Sequence, residues 1–386
     1  MKLAEIDEYK TAISIPQLVK DPCLANGHCV INSDGSINMY TGGYCIVFPY
    51  ITPQRKYAVR CWYNEVEDAE LKAQVLTKKF KELALPYFLD FEYVPNGIIA
   101  NAPMPIVRME WANGVDLRKF VTSNLGNRDI LERVLSNFVE MVKTLHKHNI
   151  SHGDLQHGNI LVKPDGSLLL VDYDSMYVDE LKDTTNSIAG LAGFQHPSRI
   201  NDTHPSPKAD YFSELVIYIT LKATIECPEI WTRYKCDKDS TDLIFKATDF
   251  DDISKSVAYN DVYSISDDMA KLVVKLKESC TVSHYEMLKP LEEVIESLGV
   301  TTIVTENYSS IFERMKTAQT AAKEEKLNTV RSAPSIDFTS VFSKMKQSAS
   351  VYEQQKKEAE EQASKEAAAA MTKFAKHYQS LKNNNK

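Results

Sequence analysis

The spacing of apolar positions changes several times along the chain, and each change predicts an element. Residues 37–62, "INMYTGGYCIVFPYITPQRKYAVRCW", are rich in β-branched and aromatic side chains and predict two or three strands. The next stretch, "NEVEDAELKAQVLTKKFKEL", holds neither Gly nor Pro and has a helical composition. Strand patterns return in "YFLDFEYV" and "PIVRMEW", with "PNG" as the turn between them. From 129 to 148 the period becomes helical, with Ile130, Val134, Phe138, Met141, Val142 and Leu145 on one stripe. "ILVKPDGSLLLVDYD" then reads as a hairpin turning at "KPDG". After residue 209 the chain is mostly helical to about 315, and "ADYFSELVIYITLKA" is apolar nearly all round, as in a helix buried mid-domain.

The ends carry weaker patterns. Residues 1–35 are mixed, with "IPQLVKDP" as a short helix closed by Pro22. Residues 317–336 read as a linker, and 337–386 as a helical tail with two weak apolar stripes. For the tail two readings stand, a solvated helix and a helix that binds a partner or self-associates. The division expected is 1–108 for an N-terminal extension with a small β-rich region, 109–116 for a connecting segment, and 117–316 for a larger helical region. Linker and tail follow. The class is α+β with two lobes and a cleft between them.

Composition narrows the function. The chain has 386 residues, of which 43% are hydrophobic and 25% charged, as in ordinary soluble globular proteins. A net charge of −8 and a pI near 5.7 give no footprint for nucleic acid, so none is expected as a partner. The longest apolar run, "LVIYITL", is too short to cross a bilayer, and "MKLAEIDEYK" lacks the apolar core of a secretory leader. Seven dispersed cysteines without a CxxC pair read as reduced thiols, which predicts a cytoplasmic protein rather than a disulfide or zinc framework.

The chemistry gathers at the hairpin. Asp154 is followed five residues later by Asn159, and thirteen after that by Asp172. Asn159 precedes the first predicted strand and Asp172 follows the second, so both fall at the open end. Hard oxygen ligands in a wet cleft suit Mg²⁺, which keeps waters and shares phosphate oxygens. Asp154, in the loop before them, is placed to accept a proton from an attacking hydroxyl. These are the parts of a phosphoryl-transfer site.

"HGDLQHGNILV…LLVDYD" resembles the catalytic and metal-binding segments of the protein-kinase-like superfamily, and with a downstream "QHP" it is similar to bacterial kinase-like proteins. The resemblance spans roughly residues 37–300. It implies ATP and Mg²⁺ as cofactors, Asp154 as catalytic base, Asn159 and Asp172 as metal ligands, and His152 as a packing residue. Tyr173 stands for the Phe of the DFG motif. Asp174 stands for its Gly, with an extra metal ligand as an alternative. "PIVRMEWANGVDL" resembles the strand-to-hinge segment, so the Glu110 carbonyl and the Ala112 amide would meet adenine. Asp116 has two readings, a ribose ligand and a helix cap. "TGGYCIVF" resembles the end of a glycine-rich loop, with Gly42, Gly43 and Val47 against the nucleotide; a plain hairpin turn also explains the glycines. "YAVRCW" resembles the strand carrying V-A-I-K, with Ala58 against the nucleotide and Arg60 in place of its lysine. Glu65, Glu67 and Glu70 are candidates to pair with Arg60. Pro197 falls in the Ala-Pro-Glu place, with Arg199 where its Glu would be. Asp210 would hold the catalytic-loop backbone. Gly153 replaces the Arg of HRD, which predicts no control through phosphorylation of 175–196.

The function this implies is phosphorylation of protein Ser/Thr hydroxyls, with a protein substrate or partner. The alternative is a pseudokinase, a nucleotide-binding scaffold acting through its tail. A small-molecule kinase is a third reading.

Overall fold

The computed structural model describes residues 3–300, apart from 187–189, 200, 201, 203, 239 and 240. The chain divides into two units, 1–312 and 313–386. The linker and tail expected at 317–336 and 337–386, and the end of the helical region from 301, lie outside the described residues.

A helix missed by the sequence pattern opens the chain. Helix α1, Ile6–Ser14, is capped by reciprocal bonds between Glu5 and Glu8 and buries Tyr9, Ala12 and Ile13. "IPQL" makes a 3₁₀ turn at Pro16–Leu18, not a helix closed by Pro22, and Val19 bridges to Ile98. Strands β1 (His28–Cys29), β2 (Tyr40–Thr41), β3 (Cys45–Ile51) and β4 (Lys56–Trp62) follow, then helix α2, Ala69–Leu83. Strands β5, Phe91–Ile99, and β6, Pro103–Glu110, complete an antiparallel sheet in the order β1-β3-β4-β6-β5, with β2 beside β3. The expected "PNG" turn is instead an irregularity inside β5, where the register shifts between Val94 and Ile98. The chain reverses beyond it, where Ala100 N–H donates to the Ala102 carbonyl.

Strand alternation gives the sheet two covered faces. Ile46, Phe48, Tyr50, Tyr57, Val59 and Cys61 pack with Tyr9, Ala12 and Ile13 of α1 on one side. Cys45, Val47, Ala58 and Trp62 face the other way, toward α2 and the main core.

The short β7 (Val115–Asp116) leads into α3 (Leu117–Ser123) and α4 (Arg128–Lys147). All of the predicted α4 stripe is buried except the partly exposed Ile130, and Leu131 and Leu135 join it. The hairpin forms as read: β8 (Ile160–Val162) pairs with β9 (Leu168–Leu170). Helix α5, Tyr211–Glu226, is buried from Phe212 to Ile225. Against it pack α6 (Glu229–Arg233), α8 (Asp267–Thr281) and α9 (Leu291–Leu298), and α7 (Val257–Tyr263) packs on α8. The described chain is therefore a β-rich N-terminal part followed by a helical C-terminal part.

Candidate active site

The loop between α4 and β8 is held from below by Asp210, at the head of α5. Its buried carboxylate accepts from the His152 amide, and from the Gly153 amide at 2.9 Å. A carboxylate at the head of an otherwise apolar helix thus has a backbone task. His152 is fully buried, and its Nε2 meets the Val171 carbonyl at 2.9 Å, tying this loop to the end of β9. Gly153 has φ +76, and a Cβ there would strike the Ser175 carbonyl. The loop has no room for the arginine of HRD. An arginine arrives from elsewhere: Arg199, 1% exposed, donates from Nη2 to the Gly153 carbonyl at 3.0 Å.

Asp154 stands above this platform. Its Oδ2 accepts from Asn159 Nδ2 at 3.1 Å, and its Oδ1 accepts from the Leu191 amide at 2.9 Å. Asn159 Nδ2 also donates to the Asp154 carbonyl at 2.8 Å. With both of its contacts made by the amide nitrogen, Asn159 keeps its side-chain oxygen for another partner. Burial pushes the Asp154 carboxyl above the usual range, against the pull of the Leu191 N–H. The open end of the hairpin brings in Asp172, because the Val171 amide donates to the Asn159 carbonyl at 3.0 Å. Asp172 takes a left-handed backbone, φ 66, and its side chain is 52% exposed. Tyr173 anchors the loop beyond it. Its hydroxyl donates to the Leu170 carbonyl at 2.7 Å and accepts from the Leu89 amide at 3.1 Å, and its ring lies edge-on to Phe80 of α2.

Among the described residues Arg60 has no glutamate partner. Glu65, Glu67 and Glu70 are all exposed, and Glu70 bonds Gln74 at 3.1 Å. Instead Arg60 Nη2 pairs with Asp174 and stands 3.3 Å from Asp172 Oδ1, while Nε donates to Cys45 Sγ at 2.9 Å. Burial opposes the charge on Arg60, but the two carboxylates outweigh it and raise its pKa. Burial pushes the Asp174 carboxyl up, against the pull of Arg60. The acid that balances Arg60 therefore comes from the place of the DFG glycine. Helix α2 presents a cation there: buried Lys72 donates to the Thr185 carbonyl at 2.7 Å. Sequence reasoning did not see this exchange. Its signal was present as two simultaneous departures, Arg60 and Asp174, that compensate one another.

The remaining expected residues line the N-terminal side. Val47 and Ala58 share the cleft-side face with Arg60, and Val47 lies opposite Arg60 in the ladder. Gly42 and Gly43 form the turn between β2 and β3, with Tyr63 donating to the Gly42 carbonyl and Asn64 Nδ2 to that of Gly43 at 2.8 Å. A Cβ on Gly42 would meet only the Cys45 carbonyl, at 3.8 Å, and one on Gly43 nothing within 4 Å. Packing within the chain does not call for glycine at either position. In the connecting segment, the Trp111 amide donates to the Lys56 carbonyl at 3.1 Å, and Glu110 follows β4 through its pairing with Tyr57. Among the described residues no hydrogen bond engages the Ala112 amide. Of the two readings for Asp116, the structure shows the cap: Oδ1 accepts from the Lys119 amide at 2.9 Å, and Oδ2 meets Lys119 Nζ at 2.8 Å.

The donor set at the hairpin fits Mg²⁺, with a carboxylate and a carboxamide oxygen on adjoining positions. Among the described residues no group of three or more His, Cys, Asp or Glu side chains could hold a metal alone. A cation here depends on phosphate and water for its other ligands. No described helix is long and apolar enough to cross a membrane.

Comparison with known proteins points the same way. The model of the protein kinase domain family matches residues 41–285. The dual specificity protein kinase Ttk of Danio rerio is 36% identical over 75 residues, 19% of this chain and 8% of that protein. The probable serine/threonine-protein kinase PknB of Lactococcus lactis is 24% identical over 117 residues, 29% of this chain and 18% of that protein. The probable serine/threonine-protein kinase mkcC of Dictyostelium discoideum is 26% identical over 115 residues, 30% of this chain and 13% of that protein. The matches thus span less than a fifth of these relatives' lengths. With the family model covering well over half of the residues, the chain belongs to the protein kinase domain family.

Proposed function

We propose that this protein transfers the γ-phosphoryl group of ATP, with Mg²⁺, to serine or threonine hydroxyls of a protein substrate. The observation that carries the reading is the joined pair Asp154–Asn159, with Asp172 at the open end of the same hairpin. Asp154 accepts the proton of the attacking hydroxyl; its burial keeps the carboxyl basic enough for that task. Asn159 Oδ1 and Asp172 would hold Mg²⁺. When bound, the ion neutralises charge on the phosphates. The open turn at Gly42 and Gly43 lets backbone approach a triphosphate closely, and Val47 and Ala58 offer an apolar seat for a base. The serine/threonine acceptor is supported by the names of two relatives.

The test is incorporation of label from γ-labelled ATP by the full chain, with and without Mg²⁺. Asp154→Ala should lower it by roughly 10²–10⁴-fold. Incorporation that survives the substitution would remove Asp154 from the reaction.

A second reading, a nucleotide-binding pseudokinase, is favoured by one contact. Arg60 Nη2 stands 3.3 Å from Asp172 Oδ1, so a cation must compete for that oxygen with a guanidinium already in place. A thermal shift on ATP that is indifferent to Mg²⁺, with no label transferred, would select this reading.

A further inference from the structure

At the turn between β2 and β3 four consecutive carbonyls are engaged. That of Gly42 accepts from the Tyr63 hydroxyl, and that of Gly43 from Asn64 Nδ2 at 2.8 Å. The Tyr44 carbonyl accepts from the Tyr63 and Asn64 amides at 3.1 and 3.2 Å, and the Cys45 carbonyl from the Gly42 amide at 2.9 Å. The amides are disposed differently. Among the described residues no hydrogen bond engages the N–H of Gly43 or of Tyr44, and both residues are exposed. The peptide bonds here are trans, so each N–H points opposite to the carbonyl before it. The carbonyls of Gly42 and Gly43 turn toward residues 63 and 64, and the amides of Gly43 and Tyr44 therefore turn away from them. The space at Gly43 is open, since a Cβ there would meet nothing within 4 Å. The turn also adjoins the charged end of the site. Cys45, its last residue, accepts at Sγ from Arg60 Nε at 2.9 Å, and Arg60 Nη2 stands 3.3 Å from Asp172 Oδ1.

We infer that Tyr63 and Asn64 are positioning residues, which hold this turn so that the Gly43 and Tyr44 amides donate to phosphate oxygens of the nucleotide. The inference rests on the nucleotide-binding reading and names what shapes its phosphate seat. Two N–H groups on successive residues present fixed partial positive charge, and their bonds to an anion are of the stronger, charge-assisted kind. A turn with free carbonyls could rotate a peptide and show oxygen to the anion instead. Bonding both carbonyls from behind prevents that rotation, so the donors are aimed before the ligand arrives. Tyr63 is itself fixed, because its ring packs against the apolar layer between the sheet and α1. Its hydroxyl thus carries the rigidity of the sheet into an exposed turn.

The experiment is calorimetric titration of the full chain with ATP and, separately, with adenosine, both with Mg²⁺, alongside thermal melting. Tyr63→Phe keeps the ring and removes one donor; Asn64→Ala removes the other. Each should weaken ATP binding about fivefold, the value of one hydrogen bond, and the double variant more than either. Adenosine carries no phosphate and should bind each variant as it binds the wild-type chain. The melting temperature should move by no more than about two degrees, because both donors act at the surface. Wild-type affinity for ATP in both single variants overturns the assignment and leaves the nucleotide-binding reading standing. So does a loss that adenosine shares equally, or one that follows a larger fall in melting temperature. A wild-type chain that binds neither ATP nor adenosine overturns both.

Discussion

At the scale of single residues, the site is organised by exchanged charges. The strand cation is Arg60, and its acid sits at Asp174 rather than on α2. Removing one partner of a buried pair strands the other, at about 3–5 kcal/mol. Arg60→Met should therefore cost that much in urea unfolding. Adding Asp174→Asn in the same chain should recover a large part of the loss. Strict additivity of the two substitutions would show that the pair is not energetically coupled. Asp154, Asn159 and Asp172 could be singled out because a D-x4-N is joined to a hairpin and a later Asp. Their partnerships could not. The contact from Arg60 to Asp174 spans 114 positions, and that from Arg199 to Gly153 spans 46. No local period encodes which of several acids a distant cation will meet.

At the scale of elements, α2 is fastened to the segment that follows the hairpin. Lys72 reaches the Thr185 carbonyl at 2.7 Å, and Lys79 pairs with Glu180 at 2.8 Å. The Lys79 pair is exposed on the Glu180 side and contributes little. Buried Lys72 is the firmer tie, and burial already depresses its pKa. Lys72→Met keeps the stem and removes the donor. Backbone amides of 180–186 should then exchange hydrogen faster, with α5 unchanged; unaltered exchange in 180–186 would show that Lys72 fastens nothing. Elements themselves were readable where periodicity was long. The α4 stripe and the β8–β9 hairpin appeared as expected, within a residue or two. Helix α1 was missed because nine residues give only three buried positions. "PNG" misled because its turn chemistry was spent on a kink within β5.

At the scale of the whole molecule, one charged cluster joins three helices. His146 of α4 bonds Glu214 of α5 at 2.8 Å through Nε2, and Glu292 of α9 at 2.9 Å through Nδ1. Burial works against the imidazolium, but both carboxylates outweigh it and hold His146 protonated to about 10, above its ordinary 6.5. Burial raises Glu214 to about 7, from an ordinary 4.5. Both groups bind protons more tightly folded than unfolded, so the stability they add is complete at acid pH and is lost as pH climbs through those values. Unfolding free energy should fall from about pH 4.5 to 7 through Glu214 and from about 6.5 to 10 through His146, by on the order of 1 kcal/mol per unit for each group at the steepest. His146→Gln should flatten that slope in urea titrations. An unchanged slope would place the proton linkage elsewhere. The covering of the sheet by α1 has its own consequence. Homology begins at residue 41, yet Tyr9 already donates to the Trp62 carbonyl at 3.0 Å and closes the back of β3 and β4. Homology ends at 285, short of α9 and its glutamate. Boundaries drawn by kinship would thus cut through a sealed apolar seam at one end and an ionic lock at the other.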